Sequence, residues 1–320
     1  MRRTFLVAFV VGLILVATVH AASQPPTMAD LKKGRVQAVV RAPGFPDWIT
    51  TGFGLVWLGN GHAIERIDPK SNAPRGYVAA GTQPCEGLVT GFGSVWSVDC
   101  TGVKLLRIDP ASGRVTARIP LPGTAPEGEG LITIDGSAVW VPATSENLSG
   151  GLLVRIDPGT NSVVGTVRLP YDSSGAAAGF GSVWVTGART ATVYRVDPAT
   201  NAVVAKVRVH GSPRFIAAGA GGVWSLNQQD GSVSHIDPAT NRVVATVRTK
   251  VPGSGGCIAA GAGRVWVTMP GTPLSEIDPR GNRIVGQWTG VGGDCITTGF
   301  GSVWLVNHDL RNVWRIRPRP

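Results

Sequence analysis

The sequence is poor in charge. Only 16 % of its 320 residues are Asp, Glu, Lys or Arg, which excludes a disordered chain or a coiled coil, and 43 % hydrophobic residues can bury a large core. Histidine is scarce, five in all, and the four cysteines form no C-x-x-C pair, so no zinc-ligand spacing is present. The one long apolar run, Phe5 to Val19, is shorter than the ~20 residues a spanning helix needs. No Ser-His-Asp order stands out, and no phosphate-binding glycine pattern sits in a strand–turn–helix setting. Glycine, by contrast, is abundant at 44 residues beside 23 prolines. It follows no strict triplet, so collagen is excluded and a glycine-punctuated all-β protein remains.

The first residues have the layout of an export signal. A basic Met1-Arg2-Arg3 precedes the apolar run, and Val19-His20-Ala21 offers a small residue for cleavage. An uncleaved anchor is the competing reading, disfavoured by the shortness of the run. Residues 1–21 are therefore expected to be a signal peptide, 22–33 a flexible leader and 34–320 one domain working outside the cytoplasm, secreted or periplasmic, with no membrane span after cleavage.

Self-similarity decides the architecture. Val-Trp recurs at 56–57, 95–96, 139–140, 183–184, 223–224, 265–266 and 303–304, spaced by 38 to 44 residues. Each is followed by an Ile-Asp-Pro or Val-Asp-Pro landmark, from Ile67-Asp68-Pro69 to Ile277-Asp278-Pro279, with Ile316-Arg317-Pro318 in the last copy. Between landmarks the pattern alternates with period two and is broken by short turns. Four short strands in a unit of about forty residues is the mark of a β-propeller blade, so the chain is expected to be a monomeric propeller of seven four-stranded antiparallel blades. The last copy stops after its third strand, while 34–41 resembles a fourth strand with no blade of its own. The N-terminal strand is expected to close the ring and remove an exposed edge.

Four cysteines in an exported chain point to disulfides. About the turn at Phe92-Gly93, Cys85 and Cys100 fall directly opposite on neighbouring strands, within bridging reach. Cys257 and Cys295 occupy one blade position, each four residues before a glycine, on innermost strands of adjacent blades. These two are either a second bridge or two thiols at the channel wall.

The Val-Trp-Val-Thr strand and the Ile-Asp-Pro-Ala-Thr-Asn-Arg-Val-Val-Ala-Thr-Val stretch at 236–247 resemble the repeats of YVTN/YncE-like seven-bladed propellers and, more distantly, of the streptogramin (virginiamycin B) lyases. The resemblance covers about 34–320. It implies the scaffold but not an activity, because one fold hosts many functions. The lyase pattern implies a first-ring His and a second-ring Glu acting with Mg²⁺. Here those slots hold Asp294 or Glu86 and Asn307, Asn60 or Asp99, leaving His308, one residue off register, as the only base, with Asp294 beside it.

In a repeat ring, function is expected where blades differ. The position just before each innermost strand holds Asp47, Glu86, Glu129, Ser174, Arg214, Gly256 and Asp294. Three residues after each Trp stand Asn60, Asp99, Ala143, Gly187, Asn227, Met269 and Asn307, and both rings are expected to face one mouth of the channel. Carboxylates and amides converging there would suit a small polar or cationic ligand, a protein partner, or an oxygen-liganded Ca²⁺ or Mg²⁺. Alternatively, the two rings are a hydrated polar rim with Arg214 neutralising its neighbours. The net charge of +10 does not argue for nucleic acid, because the arginines follow the repeat around the rim and form no aromatic-interleaved cluster. The preferred reading is an exported ligand-binding or protein-interaction module. The rival is a metal-assisted lyase or hydrolase at the same mouth.

Overall fold

A computed structural model describes residues 25–320 apart from 81–84, 86, 124–129, 146–148, 250, 252 and 320. The expected signal peptide, 1–21, lies outside the described residues.

Seven four-stranded antiparallel sheets are arranged as blades. In the first, Pro46–Gly52, Leu55–Asn60, Ala63–Asp68 and Ala73–Ala79 run from the channel outward. The innermost strands of the others are Val89–Gly91, Thr133–Ile134, Ala176–Gly179, Pro213–Gly219, Cys257–Gly261 and Ile296–Gly299. Tight two-residue turns such as Phe53-Gly54 and Phe300-Gly301 join the first two strands, both residues at positive φ (52° and 76°, 53° and 68°). This is the geometry whose twist matches the flanking strands.

The ring closes as the sequence implies. Strand Val36–Arg41 pairs with Asn312–Ile316, so the last blade takes its outer strand from the N-terminus. The preceding segment corrects one expectation: within the residues read as a flexible leader lies a helix, Met28–Gly34. Thr27 and Asp30 cap it reciprocally, and Met28 and Leu31 are buried. Two buried apolar side chains, each next to a member of the capping pair, dock a helix of about two turns.

The repeated Trp residues are all fully buried. In six blades the indole N–H donates to the glycine carbonyl five residues upstream at 3.0–3.2 Å. Opposite each Trp on the third strand is an Arg, His or Glu, and in several blades it clasps the next. Arg107 lies over Trp96 and donates to the Pro158 carbonyl at 2.7 Å and Asn161 Oδ1 at 2.8 Å. Arg195 does the same over Trp184 toward Pro238 and Asn241, and Arg315 over Trp304 toward Pro69 and Asn72. Each Asn therefore has two roles: it adopts the left-handed turn conformation, φ 55° at Asn161, and supplies the acceptor. In the fifth blade His235 takes the arginine's place, stacked on Trp224 with ring centroids 3.8 Å apart and hydrogen-bonded to Asn282 at 2.7 Å.

At the sixth blade the clasp changes sign. The slot holds Glu276, fully buried, which accepts from Arg35 at 2.6 Å and has Arg264 and Arg319 at 3.5 Å. The reason is topological: the seventh blade's outer two strands, Asn312–Ile316 and Val36–Arg41, come from distant parts of the chain, so no Asp-Pro-x-x-Asn turn joins them and Arg35 and Arg319 stand there instead.

Candidate functional site

A cavity of about 570 Å³ opens at the channel mouth where the innermost strands begin. Its described lining comes from the first, fifth, sixth and seventh blades. Asp47, Asp294, His308 and Asp309 provide the charge and hydrogen-bonding capacity, and Pro270, Val291 and six glycines most of the remaining wall. Trp48 and Phe215 line it too. Their ring centroids are 6.3 Å apart, although they belong to the first and fifth blades, so they meet across the channel. The Trp48 indole is fixed by donating to the Cys85 carbonyl at 3.1 Å. Beneath them lies a second cavity of about 210 Å³ lined by strands of all seven blades, including Ile49, Leu88, Ile216, Ile258 and Ile296. Trp48 borders both. Trp48 thus stands between the mouth cavity and the channel, with Phe215 packed against it from the mouth side.

This off-centre shape comes from one sequence position. The residue after each first-ring position is Trp48, Gly87, Gly130, Gly175, Phe215, Cys257 or Cys295. The glycines let neighbouring chain approach: a side chain at Gly175 would begin 2.1 Å from the Arg214 carbonyl oxygen. With three blades carrying no side chain there, the rings of Trp48 and Phe215 fill the middle. Both were missed as site residues in the sequence. Trp48 lies outside the Val-Trp series, and that departure from the repeat was the available signal.

The first ring is only partly assembled here. Asp47, Gly256 and Asp294 line the cavity. Arg214 is on the fifth blade's innermost strand but not in the described lining, and Ser174 is buried. Glu86 and Glu129 lie outside the described residues.

The second ring does not face the mouth, which corrects the sequence expectation. Asn60, Asp99, Asn227 and Asn307 are all buried, with Asn227 and Asn307 at 0 % exposure, because each closes a hairpin between second and third strands. Asn227 donates to Ser232 and Ser234, both at 3.0 Å. Asn60 donates to Glu65 at 2.8 Å, and Asp99 accepts from the Thr101 amide at 3.1 Å. Asn307 donates to Asn312 and accepts the Gly293 amide at 2.8 Å. It therefore touches the site indirectly, by holding the glycine wall.

His308 and Asp294 do come together, with Nδ1 3.8 Å from the carboxylate. The same nitrogen is 3.0 Å from the Pro46 carbonyl. A carbonyl can only accept, so Nδ1 carries the proton and the neutral ring's basic atom is Nε2. Among the described residues no three His, Cys, Asp or Glu side chains converge as a metal site. Cys85 bridges Cys100, and Cys257 bridges Cys295 with Cα atoms 4.9 Å apart, joining the innermost strands of the sixth and seventh blades beside the cavity.

No family model matches the chain, and none of the curated proteins does. Among solved structures it is similar to hydrazine synthase of Kuenenia stuttgartiensis, 14 % identical with a TM-score of 0.71, covering 88 % of this chain and 97 % of that one. It is also similar to the WD40 domain of Pan2 from Neurospora crassa, 11 % identical with a TM-score of 0.66, covering 87 % and 90 % respectively. At such identities the likeness establishes the propeller fold and nothing about activity. Among the described residues no helix is long and apolar enough to cross a membrane.

Proposed function

We propose that the protein is an exported, monomeric binding module that takes a small ligand, or the tip of a protein partner, in the mouth cavity. The observation that carries this reading is the cavity itself: about 570 Å³, within the range of small-molecule sites, with an aromatic floor and a few polar groups on its wall. The signal-like N-terminus and two disulfides support an oxidising compartment. Val291, which is 63 % exposed and lines the cavity, provides the test. In a thermal-shift screen of cations, anions, sugars and short peptides, hits on the wild type are expected to vanish in Val291→Trp, which fills the entrance without touching the core. Hits that persist unchanged in that variant place binding elsewhere and sink the reading.

The His308–Asp294 pair favours a second reading, acid–base catalysis of a lyase or hydrolase kind at the same mouth. The described residues supply no metal ligand set for it. Turnover of a bound ligand that is lost in both His308→Ala and Asp294→Ala, with binding kept, would establish the enzyme over the module.

A further inference from the structure

On the face opposite the mouth we infer a docking surface for an anionic lipid bilayer, centred on the seventh, first and second blades. The antiparallel order of each blade puts two turns at this end, one between its first and second strands and one between its third and fourth. In the inner turns Phe300, Phe53 and Phe92 stand side by side on consecutive blades. The Thr51 hydroxyl ties them by donating to the Thr298 carbonyl at 3.1 Å, and Thr90 donates to the Thr51 carbonyl at 2.9 Å. Each phenylalanine is in the left-handed region, φ 51–53°, a strained conformation for a bulky residue. The turn does not demand it: Ala220 and Ala262 hold the same position at φ 48° and 50°, and the outer turns use Asn at φ 49–57°. Nor are Phe53 and Phe300 core residues, since they stay 46 % and 41 % exposed. Apolar tips held in a strained conformation at the surface mark an interaction site.

Charge identifies the partner. The outer ends of the sixth, seventh and first blades expose Lys70, Arg75, Arg280, Arg283 and Arg317 on the same face. Asp68 offsets Arg75 at 3.0 Å and Asp278 offsets Arg283 at 3.8 Å, so among the described residues Lys70, Arg280 and Arg317 are excess positive charge there. Apolar tips at the centre with cations outside them match a bilayer, whose headgroup boundary accepts phenyl rings while its phosphates meet the cations. A nucleic acid strand asks instead for a basic groove with rings set along it.

Vesicle co-sedimentation of the full chain tests this, comparing phosphatidylcholine vesicles with vesicles that also contain phosphatidylglycerol. The readout is the binding that phosphatidylglycerol adds, which should fall with added salt. Any binding by the apolar run near the N-terminus is common to every variant and cancels in the comparison. Phe53→Asn/Phe300→Asn is expected to weaken the added binding about tenfold, and Lys70→Ala/Arg280→Ala/Arg317→Ala about tenfold or more. The Asn pair should melt no lower than the wild type, because Asn suits the left-handed turn. If it does melt lower, Phe53→Ala/Phe300→Ala, which copies Ala220 and Ala262, takes its place. Equal binding by all variants, or no added binding at all, overturns the inference. Binding that survives the phenylalanine variants and is lost only in the charge variant shows adsorption without the tips, and overturns it too. If a single-stranded oligonucleotide rather than the vesicles is bound, and these variants abolish that binding, the bilayer is the wrong partner.

Discussion

Arg35 and Glu276 stand 241 residues apart in the chain and meet at 2.6 Å in the fold. Arg35 opens the strand that closes the ring, and its guanidinium lies over both Trp266 and Trp288. Arg319, at the other chain end, reaches the same carboxylate and also lies over Trp288. One buried acid therefore ties the segments flanking both closing strands to the sixth blade. Removing one side of a buried pair leaves the other charge uncompensated, so Glu276→Gln should cost about 3 kcal/mol in urea unfolding. Glu276→Arg, which restores the residue five other blades use, should be worse, because it faces three arginines. By contrast Arg75→Ala, which breaks an exposed pair with Asp68 at 3.0 Å, should cost less than about 1 kcal/mol. If the two losses are equal, the clasp has no special place in closure.

Closure itself is tested by deletion. Without 36–41 the strand Asn312–Ile316 becomes an open edge and the seventh blade loses its outer layer. We expect calorimetry to show no cooperative transition for such a chain; a transition near the wild-type temperature would refute closure by the N-terminus. The helix before it contributes less. Leu31 is 1 % exposed, and Leu31→Ala is expected to cost about 2–3 kcal/mol while leaving the transition cooperative.

The scaffold was legible in the sequence because each blade repeats the same two landmarks, and a copy error in a ring is easy to see. The clasp was legible only in part. Arg107 and Arg195 could be counted as repeat residues, but their acceptors sit one blade away, at Asn161 and Asn241, and no spacing within a unit discloses that. Asn227 and Asn307 were misplaced for a related reason: the alternation of a strand gives its faces, yet the last residue before a turn folds back to cap it. The site was legible where charge varies around the ring, at Asp47 and Asp294. It was hidden where the variation is one of size, at Trp48 and Phe215, since an apolar residue on an inner strand reads as core.

Acid should weaken the fold through its turns. Asp68, Asp157 and Asp237 are held below the usual carboxylate range chiefly by backbone N–H donors, from Lys70, Gly159 and Ala239, and Asp109 by the Ser112 hydroxyl and amide. A folded value below the unfolded one means stability that is present above about pH 4 and lost as pH falls through the folded value. Glu65 runs the other way. Burial raises its pKa, and the Asn60 hydrogen bond offsets this only in part, so its charged form opposes folding once the pH rises past the unfolded value of about 4.3. Urea midpoints should therefore show Glu65→Gln more stable than wild type at neutral pH, with the advantage gone below about pH 4. An advantage that is the same at both pH values would mean the gain has nothing to do with charge.

The floor of the cavity makes the last prediction. Phe215 is 2 % exposed and meets Trp48 across the channel, so Phe215→Ala removes the ring that packs on Trp48 where the mouth cavity adjoins the channel. Loss of a buried phenyl ring should cost about 3–4 kcal/mol, whereas Phe215→Leu, which keeps most of the volume, should cost less than about 1.5 kcal/mol. The space opened in Phe215→Ala lies against Trp48 within the hydrophobic cluster that Phe215 belongs to, and apolar-walled cavities take apolar guests. Benzene is accordingly expected to raise the melting temperature of Phe215→Ala and leave wild type and Phe215→Leu unmoved. If benzene stabilises all three alike, the channel is already open to the mouth and the aromatic pair does not divide them.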